Sequence, residues 1–505
     1  MDKRIRWRMW GLCAVLLAHM TVGVQAASPK SKIKPSSRLP ASVQKALKTA
    51  RLPTTAMRVV VAPLDAESPA LLSIGAHRSI NPASVMKLVT TYAALDLLGP
   101  EYRWQTGFYT TAPLERGVLQ GDLYVRGGGD PKWVLERIQA DFAALQNQGV
   151  RAIAGDLVLD HGGFDVPSKA PGDFDGEHLR PYNVTPDALL VNFKSVLLHF
   201  TPDPIAGVAH VRSEPPLAGL SVDASVPLTT RACVDWRTRL QADFSDPNAI
   251  RLLGSYAQAC GEQVWPVAYQ DPTSYAARAL EGLWRQSGGT LTGRVRSGTT
   301  PTAARLLLAA DSLPLRDIIA DVNQFSNNVM AQQVFLSLAT PTPGAPPHMS
   351  EISGRSASPP VVAGFERSRE VLARWWTQTF GSGVAAPVVD NGSGLSRQER
   401  ITPQALMHLL RHAAQHPQAL PFVQSLSVAG VNGTTRRMAQ RPNSLANGRA
   451  WIKTGTLRDV AGIAGYVDTR SGRRLVIIGF IHHERANQGR SALDALLEWA
   501  AEQRL

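Results

Sequence analysis

The chain has 505 residues, 44% of them hydrophobic and 18% charged, which excludes a disordered or fibrous protein and suggests about two to four domains. Its formal net charge of +13 comes almost wholly from residues 1–58, where twelve Lys and Arg stand against Asp2 alone. The rest of the chain is near neutral, so the charge gives no footing for nucleic-acid binding.

The first residues read as a targeting segment. Lys3, Arg4, Arg6 and Arg8 form a basic start, Trp10 to Val24 is an apolar stretch too short and broken to span a membrane, and Val24-Gln25-Ala26 offers a cleavage site. Residues 1–26 are therefore expected to be a signal peptide, with the mature chain exported. Residues 27–44 read as a basic, Ser/Pro-bearing tail whose charge would allow loose contact with anionic envelope polymers or a membrane surface. Apart from Cys13 in the signal, only Cys233 and Cys260 remain. In an oxidising compartment this pair is expected to form a disulfide. Two cysteines cannot build a four-cysteine zinc site and no His-Glu-x-x-His run occurs, so no metal and no cofactor are expected.

Ordered structure is expected from about Ala41. Met57 to Ala62 reads as a strand with Ala70 to Ile74 as its hairpin partner. Asn81-Pro82-Ala83-Ser84 then offers a capping Asn and a Pro at a helix start, and Gly99-Pro100 closes that helix. From about 104 the texture changes to short strands between turns, with a helix over Val134 to Leu145. Helical patterning returns near Tyr275 and runs through Leu315–Leu338. Ala450 to Leu457, Ile463 to Asp468 and Arg474 to Ile481 read as strands, and Arg490 to Ala501 as an amphipathic helix. Two N-terminal and three C-terminal strands would make one antiparallel sheet of five, flanked by helices, in an α+β fold.

Ser84 and Lys87 stand three apart at the start of the first long helix, so they share a face one turn apart. A Ser hydroxyl is a weak nucleophile unless a base takes its proton, and a buried neutral Lys amine can serve. Two other Ser-x-x-Lys pairs, Ser31/Lys34 and Ser42/Lys45, lie in basic surroundings without an apolar setting. Ser326-Asn327-Asn328 precedes a helical run, and Lys453-Thr454-Gly455-Thr456 lies on an expected strand whose glycine permits close backbone approach. The three motifs in this order resemble those of serine penicillin-binding enzymes.

The chain resembles the penicillin-binding proteins and serine β-lactamases. The runs Gly121 to Pro131, Pro181-Tyr182-Asn183, Gly392-Ser393-Gly394-Leu395-Ser396-Arg397 and Val428 to Gly433 are similar to those of the class C low-molecular-mass penicillin-binding proteins, the D-alanyl-D-alanine carboxypeptidases and endopeptidases. The resemblance implies a penicillin-binding catalytic domain over 45–103 and 275–505, with β-rich domains, expected to number two, inserted over 104–274. It implies Ser84 as nucleophile, Lys87 as base, and Ser326 and Asn328 as proton relay and substrate-amide holder. Lys453, with Thr454, Gly455 and Thr456, would hold the substrate's terminal carboxylate, and the Ser84 and Thr456 N–H groups would form the oxyanion hole. Asp160 and Arg397 match the family's side pocket for a diaminopimelyl end. Asn327 and Asn391 stand where Asp is frequent. The implied partners are peptidoglycan peptides, with β-lactams as inhibitors, in a bacterial periplasm or cell envelope. A β-lactam-hydrolysing or esterase enzyme of the same fold, and a non-catalytic wall-binding scaffold, are the alternative readings.

Overall fold

The computed structural model describes residues 36–65, 67–340, 362–441 and 443–505. The signal, the first half of the basic tail and the Ser31/Lys34 pair lie outside the described residues.

A six-stranded antiparallel sheet forms the body, in the order Leu72–Ile74, Met57–Pro63, Arg474–His482, Val460–Asp468, Ala450–Leu457, Ser427–Val428. Five of these strands are the expected ones. The sixth is a two-residue edge strand, too short to leave an alternating pattern. The apolar runs are continuous because both faces are covered. Successive residues point to opposite faces. Val60 and Ala62 therefore pack with the helices Lys87–Leu98 and Pro403–Gln415, whereas Val59 and Val61 pack with Arg490–Ala501 and Ala41–Thr49. Val43 and Leu47 are fully buried on Ala41–Thr49, so the tail boundary at residue 44 falls inside a packed helix. Ser42 and Lys45 are exposed on it, which leaves that pair without the setting a nucleophile needs.

The inserted part is larger than expected. Strand Gln105–Thr110 pairs antiparallel with Arg305–Asp311, and both belong to a five-stranded sheet that also holds Leu123–Arg126, Leu157–Asp160 and Val295–Ser297. Helix Tyr275–Gln286 buries Ala279, Leu280, Leu283 and Trp284 in the same core as Ile138, Phe142 and Leu145 from helix Leu135–Asn147. Residues 275–311 therefore pack with the insertion and not with the catalytic sheet, which corrects the boundary at 274. An amphipathic stripe shows that a helix packs, but not against which core. A second five-stranded sheet contains Ser195–Asp203 and Val208–Glu214, and it shares that core. Cys233 and Cys260 form a disulfide within this part, with Cα atoms 4.9 Å apart.

The insertion is tied to the catalytic body by Gln333 on helix Asn328–Ser337. Its amide donates to the carbonyls of Gly129 at 3.2 Å and Asp187 at 2.8 Å, and accepts from Asp187 N at 3.1 Å.

Candidate active site

Asn81 starts the nucleophile turn. Its side-chain oxygen accepts from Ala83 N at 2.9 Å, and its amide donates to the Ser396 carbonyl at 2.7 Å. The expected helix begins as a 3-10 turn, Ala83–Met86, and becomes α-helical only at Lys87. Gly99 ends it with an N–H bonded to the Leu95 carbonyl, at a φ of +83 that a residue without a Cβ adopts readily.

Lys87 is fully buried and sits at the centre of the site. Its Nζ lies 3.1 Å from Ser84 Oγ and 2.6 Å from Asn328 Oδ1, and it also donates to the Ser393 carbonyl. Burial holds its pKa well below the ordinary lysine value, the charge of Lys453 lowers it further, and Glu399 opposes the shift. A neutral amine aimed at a serine hydroxyl is the arrangement a general base requires.

The second motif sits between two helices. Ser326 closes Leu315–Phe325 in the left-handed conformation, with φ 58 and ψ 34. Asn327 then caps Asn328–Ser337 by accepting from Met330 N at 3.1 Å. Asp and Asn cap equally well, which accounts for Asn at this position. The αL turn aims Ser326 at the third motif, where Lys453 Nζ meets its Oγ at 2.9 Å. Burial pulls the Lys453 pKa down to about 7. Asn328 Nδ2 donates to the Tyr182 carbonyl at 3.1 Å, so the insertion contributes a backbone atom to the site.

Gly455 has a different reason from the expected one. A Cβ there would lie 2.6 Å from the Pro82 carbonyl oxygen and 3.1 Å from a Val85 methyl. The glycine lets the strand press against the nucleophile turn. Thr454 Oγ1 is bonded to Thr434 Oγ1 at 2.9 Å, and Thr456 Oγ1 accepts from Arg490 at 3.3 Å.

Asn391 organises the loop before Arg397. Its oxygen accepts from Ser393 N at 3.0 Å and Ser393 Oγ at 2.7 Å, while its amide donates to the Leu395 carbonyl at 3.0 Å. An Asp could accept those bonds but could not donate the last one. Gly394, at φ +82, brings the loop against the Ala83–Ser84 backbone, where a Cβ would lie 2.0 Å from the Ala83 carbonyl oxygen.

Asp160 and Arg397 do not meet. Asp160 is buried at a strand end and accepts from Gly162 N at 3.0 Å and Thr300 N at 2.8 Å. Burial alone would raise its pKa, but these donors and Arg126 outweigh it and hold the value low. Its bonds brace a turn, and it is absent from the walls of the cavity beside Arg397. That cavity, of about 310 Å³, is lined by Asp173, Phe174, Asn183, Gln332, Asn391 and Arg397 among others. The Arg397 guanidinium lies over the Phe174 ring at 4.6 Å and 3.5 Å from Asp459 Oδ1. Two acids share the cavity with Arg397: Asp173, from a loop whose fold the sequence does not signal, and Asp390.

Five contributors escaped sequence reasoning: the Tyr182 and Ser393 carbonyls, Thr434, Arg490 and Glu399. The first two are backbone atoms and leave no residue-type signature. Thr434 follows directly on the run Val428 to Gly433, and Arg490 opens the terminal helix, but neither carries a motif itself.

A helix-covered antiparallel sheet with Ser84/Lys87, Ser326/Asn328 and Lys453/Thr454 converging at one strand has the fold of the penicillin-binding and serine β-lactamase-like proteins. Residues 39–503 match the D-Ala-D-Ala carboxypeptidase 3 (S13) family, and the chain belongs to that family. Its relatives include the D-alanyl-D-alanine carboxypeptidase DacB of Haemophilus influenzae, 25% identical over 407 residues covering 79% of this chain and 80% of that one. The D-alanyl-D-alanine carboxypeptidase of an Actinomadura species is 28% identical over 411 residues, covering 77% and 71%. The crystal structure of penicillin binding protein 4 from Haemophilus influenzae superposes with a TM-score of 0.70 at 21% identity, covering 90% of this chain and 97% of that one.

Proposed function

We propose that this chain is a serine D-alanyl-D-alanine carboxypeptidase and/or D,D-endopeptidase acting on peptidoglycan stem peptides. The observation that carries the reading is the buried Lys87 amine, 3.1 Å from Ser84 Oγ and held well below its ordinary pKa. Membership of the S13 family and the carboxypeptidase relatives support it.

In this reading Lys87 takes the Ser84 proton as Oγ attacks the penultimate D-alanyl carbonyl. The Ser84 and Thr456 N–H groups receive the oxyanion. The C–N bond then breaks, and the leaving amine takes its proton through Ser326, whose hydroxyl is polarised by Lys453. Asn328 holds the substrate amide, and Lys453 with Thr454 orients the terminal carboxylate. Water hydrolyses the Ser84 ester and regenerates the enzyme. The cavity lined by Arg397, Asp173 and Asp390 takes the zwitterionic end of a diaminopimelyl residue, for which a lining of both charge signs is suited.

Export to a bacterial periplasm or envelope follows from the N-terminal segment and is consistent with the Cys233–Cys260 disulfide. Among the described residues no helix is long and apolar enough to cross a membrane. The deciding experiment is labelling with fluorescent penicillin, followed by mass spectrometry of defined muropeptides. Covalent labelling lost in Ser84→Ala, with release of D-alanine or splitting of cross-linked dimers, is expected. Labelling that survives Ser84→Ala overturns the assignment, and rapid release of penicilloate without peptide products favours a β-lactamase.

A further inference from the structure

Glu399 is fully buried, yet the acyl-transfer steps above give it no part. Its Oε1 accepts from three consecutive backbone N–H groups, Asp390 at 3.3 Å, Asn391 at 3.1 Å and Gly392 at 2.9 Å. Its Oε2 is buried without a hydrogen-bond partner. The loop so held touches the Ser84 helix twice. The Gly392 carbonyl accepts from Thr90 Oγ1 at 2.6 Å, and the next carbonyl, of Ser393, accepts from Lys87 Nζ. A Cβ on Gly392 would meet Phe335 at 2.6 Å and Thr90 Oγ1 at 2.8 Å, so the loop is wedged between the helices that carry Lys87 and Asn328.

A glutamine in this place would accept the same three bonds without burying a charge, and burying a half-satisfied carboxylate is costly. What the carboxylate adds is a negative charge near Lys87. We propose that Glu399 is a positioning residue for acylation, acting through Lys87: it clamps the Asp390–Gly392 amides so that the Ser393 carbonyl meets the amine, and it supplies the counter-charge for the ammonium that forms when Ser84 gives up its proton. The proposal rests on the reading of Lys87 as base.

The charges that act on this pair are opposed. Lys87, on the nucleophile helix, feels the charge of Glu399 and the opposing charge of Lys453 on strand Ala450–Leu457. Asp390, whose carbonyl accepts from Arg369 at 3.0 Å, repels Glu399 from its own loop. Burial pushes the Glu399 carboxyl up to about 7, against the pull of its three backbone donors. An ionised Glu399 favours protonated Lys87. Removing the charge lets Lys87 lose its proton at lower pH and makes the ammonium of the transition state harder to form.

The test is the second-order rate of fluorescent-penicillin labelling of the full chain, followed over about pH 5 to 9, for the wild type, Glu399→Gln and Glu399→Asp. Glu399→Gln is expected to move the acid limb of the profile down by about one pH unit and to lower the plateau roughly tenfold. Glu399→Asp keeps the charge but shortens the clamp, so its limb should stay in place with a lower plateau. An acid limb in Glu399→Gln that coincides with the wild type overturns the proposal whatever happens to the plateau, as does an equal displacement in both variants. If Glu399→Gln does not fold, Glu399→Asp decides: a wild-type plateau overturns the clamp, and a lowered plateau on the wild-type limb supports it. Failure of the functional reading is distinct, because wild-type labelling would then be absent or would survive in Ser84→Ala.

Discussion

Lys453 Nζ lies 2.9 Å from Ser326 Oγ, so the cation of the third motif is bonded to the hydroxyl of the second across 127 residues of chain. The same amine is fully buried, and burial pulls its pKa to about 7.

That burial has a consequence for stability. The folded pKa lies below the unfolded one, so between about pH 7 and 10 the unfolded chain binds the proton that the folded chain releases, and stability rises with pH across this window. Below the folded pKa the full cost of burying the ammonium is present. Lys453→Met removes this term. Its unfolding midpoint is expected to exceed the wild type's at pH 6 and to lose that advantage toward pH 10, while penicillin labelling falls at least about 100-fold. Thermal unfolding at the two pH values checks the first part. A midpoint difference that does not change with pH contradicts it.

Asn328 holds two partners of opposite demand, accepting from Lys87 and donating to the Tyr182 carbonyl. Asn328→Asp keeps the acceptor and adds an anion 2.6 Å from the amine, which raises the Lys87 pKa and leaves it protonated at neutral pH. It also sets a carboxylate against a carbonyl. Labelling at pH 7 should fall about 100-fold and recover in part at alkaline pH as Lys87 loses its proton. A loss that is equal at every pH would mean that Asn328 acts by packing alone.

Asp160 and Arg397 should separate cleanly. Arg397→Ala is expected to raise KM for a diaminopimelyl peptide about tenfold while leaving penicillin labelling near wild type. Asp160→Ala strands the Gly162 and Thr300 N–H groups, so it should cost about 2–3 kcal/mol of stability without a matching change in KM. Peptide kinetics alongside denaturant unfolding tests both. A specific rise in KM for Asp160→Ala, with stability unchanged, would return Asp160 to the substrate pocket.

The catalytic sheet was legible because its long strands are apolar runs, one of which carries the third motif. Val59 to Ala62 and Leu475 to Ile478 announce buried strands without reference to anything distant. The nucleophile turn was legible through Asn81 and Gly99, which act on their own neighbours. What was not legible depends on distant partners. Asp160 lies at the end of an insertion strand, and only the folded chain shows its carboxylate spent on Thr300, 140 residues away. Glu399 stands between the polar residues Gln398 and Arg400 with no motif to mark it, yet it is buried and holds a loop. Helix Tyr275–Gln286 has the same stripe whichever core receives it.

The disulfide gives a prediction in which the two parts of the molecule part company. Cys233 and Cys260 close a loop with a sequence separation of 27, inside the insertion and outside every contact described around Ser84. On the chain-entropy account such a bridge stabilises by about 3–4 kcal/mol, and that stability belongs to the core that holds Phe200, Tyr256 and Cys260. The catalytic sheet has its own cores on its two faces. The link between them at the site runs through the Tyr182 carbonyl and Gln333, which are remote in sequence from the bridge. Cys233→Ser/Cys260→Ser should therefore unfold at lower denaturant concentration, with protease nicking first within residues 195–268. Its rate of penicillin labelling at a temperature where it remains folded should stay within about twofold of the wild type. A labelling rate that falls in step with the loss of stability would mean that the insertion and the catalytic sheet unfold as one unit.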